Sequence, residues 1–312
     1  MKHLCGLLCI LTWGLLYLHI CSVFAEAPKT AKIAFSSNRD GSSQIYSMNP
    51  DGSDQVSLTK HHSSNVYPKW SPTGEEILFL SNRDGLPDLY IMEADGKNIR
   101  KVFKKNEVRV RPDWSPDGKQ IVYASGGFIY IADRDGENIQ KVTQGKTSAW
   151  SPNGNWIAFI SDPPPVQIWL LDLRTRDLEM IYQIGGGRLE DVSWSPDSDQ
   201  LAFSGLESNF WDRVTIYKVN RDGSGIKRLL KTVPPFRAED VTWSPDGDEM
   251  LYDQVAPGQS QIFKIDVEGR RESQLTQAKG FNSAPDWFDP EALPVESNAE
   301  LLTTLWGKLK QK

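Results

Sequence analysis

Trp114-Ser115-Pro116-Asp117-Gly118-Lys119 is the stretch that decides the fold, because near-copies of it begin at Trp70, Trp150, Trp194 and Trp243, with a degenerate one at Trp287. Successive tryptophans lie 44, 36, 44, 49 and 44 residues apart, the period of a four-stranded repeat and far too long for a heptad or a collagen triplet. Ser, then Pro with its φ already set, then Asp and Gly is the composition of a tight type I turn. Each copy therefore reads as a strand ending in Trp, a reversal, and a second strand.

The rest of the unit is equally regular. Seven residues after each tryptophan an apolar strand begins: Ile77-Leu78-Phe79, Ile121-Val122-Tyr123, Ile157-Ala158-Phe159, Leu201-Ala202-Phe203 and Met250-Leu251-Tyr252. A third strand centres on an aromatic, at Tyr90, Tyr130, Trp169, Tyr217 and Phe263, with the alternation of a half-buried strand. A turn that usually contains Gly follows, as in Ala94-Asp95-Gly96. A fourth strand is expected over Ile99 to Phe103, Ile139 to Thr143, Leu178 to Tyr182, Ile226 to Leu230 and Ser273 to Thr276.

The two ends of the array complete each other. Ala31 to Thr59 supplies Ile33-Ala34-Phe35, Gln44-Ile45-Tyr46 and Gln55-Val56-Ser57-Leu58, the second, third and fourth strands of a unit without its Trp strand, and Asn282 to Phe288 supplies only that Trp strand. Joined, they give a sixth blade and close the ring, leaving no sheet without a neighbour. The predicted fold is all-β: a six-bladed propeller of four-stranded antiparallel blades, closed by N- and C-terminal strands that share one blade, with a short C-terminal helix.

Residues 1–25 carry Lys2, an apolar run from Leu4 to Ile20, and Val23-Phe24-Ala25 before Glu26, the pattern of a cleaved secretory signal. An uncleaved membrane anchor is the competing reading of that run. A lipid anchor on Cys21 is disfavoured by His19 and Ile20, where such a site needs small residues. All three cysteines, Cys5, Cys9 and Cys21, fall in this leader, so the expected mature chain has no thiol for a disulfide, a metal or catalysis. Its 34 basic and 41 acidic residues give a net charge of about −7, which argues against nucleic acid or an anionic membrane as partner. The expected organisation is the signal over 1–25, one propeller over 26–290, and a tail over 291–312. In that tail Leu301, Leu302, Leu305, Trp306 and Leu309 would form one apolar helical face.

The repeat Pro68-x-Trp70-Ser71-Pro72 through Phe79, followed by Ser81-Asn82-Arg83-Asp84-Gly85, resembles the WD40-like repeat of TolB-type six-bladed propellers, in register over about 257 residues. The resemblance implies a propeller, export to the periplasm or outside the cell, and a protein partner in the envelope. TolB itself carries an α/β domain before its propeller, and only Glu26 to Lys32 separates the expected leader from the first strand here. Related propellers also accompany serine hydrolase domains, yet no Gly-x-Ser-x-Gly elbow is present.

The repeated residues read as structure: tryptophans and strand aromatics pack blade against blade, and Ser-Pro-Asp-Gly forms turns. Asn49-Pro50-Asp51-Gly52-Ser53-Asp54 and residues 133–138 hint at calcium loops but lack the later bidentate Glu, so plain turns are expected. Function is sought where the repeats differ. From the aromatic of strand two to that of strand three the spacings are 11, 11, 7, 10, 14 and 11 residues, so variation concentrates in that loop. These loops share a face with the entry to each inner strand. That face carries Arg39, Arg83, Asp162-Pro163-Pro164-Pro165 and the longest insertion, in which Phe210 and Trp211 are candidate contact anchors. At the channel mouth Arg109 and Arg111 enter from one blade, Glu190-Asp191 and Glu239-Asp240 from two others. This set suits a zwitterionic or peptide ligand, or a divalent cation held by the carboxylates.

Of four histidines, only His61 and His62 lie outside the leader, on one loop, so neither a multi-His metal centre nor a Ser-His-Asp triad is expected. The expected function is a non-catalytic exported scaffold, monomeric and without a cofactor, that binds an envelope protein or peptide. The alternatives are a carbohydrate-active or hydrolytic enzyme using the channel carboxylates, and an accessory propeller to a separate enzyme.

Overall fold

The computed structural model describes residues 26–292 apart from 162–163, 185–186, 207–213 and 231–235. The expected leader, the insertion with Phe210 and Trp211, Asp162 and Pro163, and the tail from 293 onward lie outside the described residues.

Six four-stranded antiparallel sheets form the ring. Blade 1 runs from the inside outwards as Asn282–Phe288, Lys32–Ser37, Gln44–Met48 and Val56–Ser57. Blade 2 is Asn65–Trp70, Glu76–Ser81, Asp88–Glu93 and Arg100–Lys101, and blade 3 is Val110–Trp114, Gln120–Ser125, Phe128–Asp133 and Gln140–Gln144. Blade 4 is Thr147–Trp150, Trp156–Ile160, Gln167–Asp172 and Leu178–Gln183. Blade 5 is Arg188–Trp194, Gln200–Leu206, Thr215–Asn220 and Lys227–Arg228. Blade 6 is Arg237–Trp243, Glu249–Ala256, Gln259–Asp266 and Glu272–Gln274. Closure is as expected from the two ends: Trp287 pairs with Ile33, and the inner strand of blade 1 packs on those of blades 2 and 6.

Every strand-two aromatic sits directly opposite its strand-three aromatic, from Phe35 opposite Tyr46 round to Tyr252 opposite Phe263. Cross-strand pairs of this kind fix register and bury large areas. The tryptophans lie in the seams: Trp114 packs with Leu78, Leu89 and Phe103 of blade 2 and with Tyr123 of its own blade, at 5% exposure. The Ser-Pro-x-Gly copies are turns in which the fourth N–H bonds back to the Ser carbonyl, as Gly118 to Ser115 at 2.9 Å. In the blade 5 copy Ser198 replaces Gly and takes a φ of 63° itself.

The outer strands are shorter than expected in four blades, two or three residues each. The next residue, Leu58, Val102, Leu229 or Leu275, turns in toward the following blade, where its carbonyl meets a turn glycine. A Cβ on Gly96 would stand 2.3 Å from Leu58 O, and the same contact recurs for Gly136 on Val102, Gly223 on Ile181, Gly269 on Leu229 and Gly52 on Leu275. Blade 4 alone lacks this glycine, with Arg176 at a φ of 67° in a longer turn closed onto Asp172. Short outer strands leave little unpaired edge for another chain to extend. Among the described residues no helix is long and apolar enough to cross a membrane.

Candidate functional site

The inner strands of all six blades converge on one axial cavity of about 170 Å³. Their geometry departs from a regular ladder three residues before the tryptophan. Tyr67, Arg111, Asp240 and Ala284 have φ of 55°, 51°, 50° and 51°, each within a bulge against its second strand. Left-handed backbone at a non-glycine residue is strained and persists only where the surroundings impose it. Here the bulges re-aim side chains at the axis.

Arg111 of blade 3 and Asp240 of blade 6 come from opposite sides of the ring and meet across it, with Arg111 Nη1 2.5 Å from Asp240 Oδ1. The guanidinium also lies 4.6 Å over the Tyr67 ring of blade 2. Burial works against charge on Arg111, but Asp240 first, then Tyr67 and Asp191, hold it above its ordinary value. This pair bars the axis.

Around it, carboxylates clip one blade to the next. Trp70 N–H donates to Asp286 Oδ2 at 2.8 Å, Trp150 N–H to Asp113 Oδ2 at 2.8 Å, and Val241 N–H to Asp191 Oδ2 at 2.5 Å. These join blades 1 to 2, 3 to 4 and 5 to 6. Two intervening seams use indole N–H groups instead, Trp114 Nε1 to Lys69 O at 3.1 Å and Trp194 Nε1 to Ala149 O at 3.2 Å. The last seam, blade 6 to blade 1, is joined by the Ser260 hydroxyl donating to the Asn282 carbonyl at 3.0 Å. Buried backbone donors need such partners, so these acids hold the ring as well as charging the channel.

The acids are far from their solution behaviour. Burial, then the Asp240 charge, raises the Asp191 carboxyl to about 7, against hydrogen bonds from Ser204 and Val241. Asp253, 2% exposed, is raised well above the carboxylate range by burial and then by Asp240, Glu239 and Asp191, and its Oδ1 has no partner. Burial raises Asp113 to about 6, although Lys69 opposes it. Lys69 itself pairs with Asp286 at 2.9 Å.

The sequence-derived candidates divide. Arg111, Asp191 and Asp240 line the cavity. Glu190 and Glu239 do not line it; each stands one residue nearer the mouth with a cation from its own strand, Glu190 with Arg188 and Glu239 with Arg237 at 3.3 Å. Arg109 is not at the mouth. It is 2% exposed in the seam between blades 2 and 3, 2.9 Å from Asp88 and 3.9 Å over the Phe103 ring, because the bulge at Arg111 breaks the alternation that would have kept the two arginines together. Arg39 and Arg83 are tied into their own blades by one shared geometry. Arg39 stacks 4.6 Å over Tyr46 and bonds Ser37, Gln55 and Asn282; Arg83 stacks 4.8 Å over Tyr90 and bonds Ser81 and Asn65. The aspartate of each motif takes the Tyr hydroxyl, Asp40 from Tyr46 and Asp84 from Tyr90.

Sequence reasoning missed Lys69, Asp113, Asp253 and Asp286. Three of them share the position just before a tryptophan, a recurrence visible once the repeats are aligned. Among the described residues no three His, Cys, Asp or Glu side chains converge as metal ligands.

Comparison with known proteins agrees with this architecture. The Tol-Pal system protein TolB of Geobacter sulfurreducens is 45% identical over 51 residues, 16% of this chain and 12% of that protein, so the chain matches only a small part of that relative's length. The crystal structure of TolB from Acinetobacter baumannii superposes with a TM-score of 0.72 at 17% identity, over 82% of this chain and 66% of that one. Oligogalacturonate lyase from Vibrio parahaemolyticus superposes with a TM-score of 0.52 at 17% identity, over 80% and 73%. At such identities the two structures speak to the fold. The sequence model of the TolB beta propeller domain (PD40) matches residues 19–128 and 128–295, and the chain belongs to that family.

Proposed function

We propose that the chain is an exported, non-catalytic propeller scaffold that binds a protein or peptide of the cell envelope at the channel mouth. The observation that carries this reading is the rim itself. Arg188, Glu190, Arg237 and Glu239 alternate in sign on adjacent inner strands at the mouth, and the Arg111–Asp240 pair separates them from the axial cavity, whose lining runs from that pair toward the tryptophans. Such a rim offers a partner a rigid, polar, partly buried surface and no through passage. Exposed Leu86, Val108, Phe236 and Phe281 lie on the same face, in the loops and inter-blade connections that surround the mouth. The Tol-Pal assignment of the TolB relative supports an envelope partner, and the PD40 family membership supports a binding role.

The test is site-specific photo-crosslinking in envelope extract, with the reactive group placed at Glu190 or Phe236 and, as a control, at Asp117 on the opposite face. Adducts confined to the first two positions are expected. The same adducts from Asp117, or none from any position, would sink the reading. Turnover of oligogalacturonate by the purified chain, abolished by Asp240→Ala, would transfer the mouth to the enzyme class.

A further inference from the structure

The charges at the mouth do not balance, and the imbalance points to the chemistry of what binds there. Five carboxylates gather at the junction of blades 5 and 6: Glu190, Asp191, Glu239, Asp240 and Asp253. Three guanidiniums face them, and each is matched one to one, Arg188 with Glu190, Arg237 with Glu239, and Arg111 with Asp240. Among the described residues Asp191 and Asp253 have no ion-pair partner within 4.0 Å. Asp191 uses its oxygens on Ser204 and Val241, and Asp253 keeps Oδ1 without any partner although 98% of its surface is covered, at 2% exposure. A buried carboxylate is stabilised either by a proton or by a cation. On either side of blade 6, at the mouth face, Phe236 and Phe281 are 40% and 44% exposed.

Resting on the peptide-binding reading above, we propose that this junction receives the guanidinium or ammonium group of a basic side chain from an extended peptide. The cation is seated against Asp191, with Asp253 and Asp240 behind it, and Phe236 and Phe281 support apolar residues on either side. Charge complementarity selects this occupant. An acidic segment would add to five carboxyls, and a neutral one would leave two of them without a cation. Ser204 faces Asp191 from the second strand of blade 5, Asp240 and Asp253 from blade 6 and Arg111 from blade 3; around these, Glu239 meets Arg237, Glu190 and Arg188, and Tyr67 of blade 2 meets Asp240 and Arg111. An incoming cation displaces the proton that Asp191 otherwise holds below about pH 7.

The experiment is isothermal titration of the full chain with the capped peptide Ala-Leu-Arg-Leu-Ala and with its Gln counterpart, in buffers of different ionisation enthalpy. The Arg peptide is expected to bind about tenfold or more tightly than the Gln peptide, the difference one charge-assisted contact makes. At about pH 6 its binding should release a fraction of a proton, and the release should vanish at about pH 8. Asp191→Asn should lose both the preference and the release. Because that variant touches a blade seam, the wild-type comparison of the two peptides stands by itself. Equal binding of both peptides overturns cation recognition while leaving the scaffold reading in place. Binding of neither overturns this proposal, and the crosslinking result decides the scaffold separately. Uptake of calcium chloride at the same site with no peptide binding assigns the junction to a metal and also overturns it.

Discussion

Gly96→Ala should destabilise the propeller far more than Gly85→Ala, although both glycines sit in blade 2 with comparable backbone. Their φ values are +84° and +100°, so alanine is strained at either position, at a cost of about 1–2 kcal/mol. The difference lies in what a Cβ would meet. At Gly85 nothing stands within 4 Å, whereas at Gly96 the Leu58 carbonyl oxygen stands 2.3 Å away and its carbonyl carbon 3.0 Å. Both are main-chain atoms of the preceding blade, so no side chain can swing aside and the seam between blades 1 and 2 must open. Overpacking of this kind adds about 1–3 kcal/mol. For a domain of this size that corresponds to a melting temperature lower by roughly 2–10 °C for Gly96→Ala than for Gly85→Ala. Thermal unfolding followed by circular dichroism, with urea titration to check that the slope is unchanged, measures it. If the two variants melt together, the turn glycines serve only their own turns, and the account of five blade seams held at a glycine is wrong.

Asp113→Ala removes the acceptor for Trp150 N–H across the seam between blades 3 and 4, and leaving that donor unpaired should cost about 1–3 kcal/mol in urea unfolding. Asp113→Asn, which keeps an acceptor oxygen and sheds a desolvated charge, should recover most of it. A third expectation concerns pH. The folded-state values of Asp191, about 7, and Asp113, about 6, lie above those of the unfolded chain, so the folded state holds more protons between about pH 4 and 7. Their contribution is therefore fully present below the unfolded pKa and is lost as pH rises through the folded one. The melting temperature should fall from about pH 5 to pH 8, and Asp191→Asn should flatten the drop; a rise over that interval would contradict the assignment. Finally, deleting Asn282–Phe288 should abolish cooperative unfolding and make the whole ring protease-sensitive, because blade 1 loses its inner strand.

The ring was legible because what specifies it is local and repeated. A turn of fixed composition, a strand at a fixed offset and an aromatic in each of two paired strands determine a blade within about 44 residues, and the two partial units could only complete each other. The contents of the channel were legible in kind but not in pairing. Arg111 and Asp240 are 129 residues apart, and only ring closure sets the distance between them. Arg109 was misplaced for a different reason. Alternation along a strand assumes an unbroken ladder, and the left-handed residue at Arg111 breaks it, sending Arg109 into the seam against Phe103. Arg39 and Arg83 sit on the variable face, yet the nearest aromatic pair captures each guanidinium, a contact that loop position alone does not disclose.

Blades 5 and 6 show how far context overrides sequence here. Both begin Arg-x-Glu-Asp-Val, at Arg188 and Arg237, and in both the Glu pairs with the Arg two residues before it. The aspartates then part company. Asp240 adopts a left-handed φ of 50° and reaches the axis, where Arg111 comes from the opposite blade. Asp191 stays in the ladder opposite Ser204 and turns sideways to the Val241 N–H of the next blade. One pentapeptide pattern thus supplies a bar across the channel from one blade and a seam clip from its neighbour. The junction between them is where carboxyls without a matching cation collect, because the ring contains one Arg111 and two candidate acids for it. Replacing Arg111 by Met should therefore raise the pH at which Asp191 ionises, because the guanidinium that favours its carboxylate is gone; an Asp191 carboxyl that titrates as in the unsubstituted chain would mean that the bar across the channel and the seam clip do not share one field.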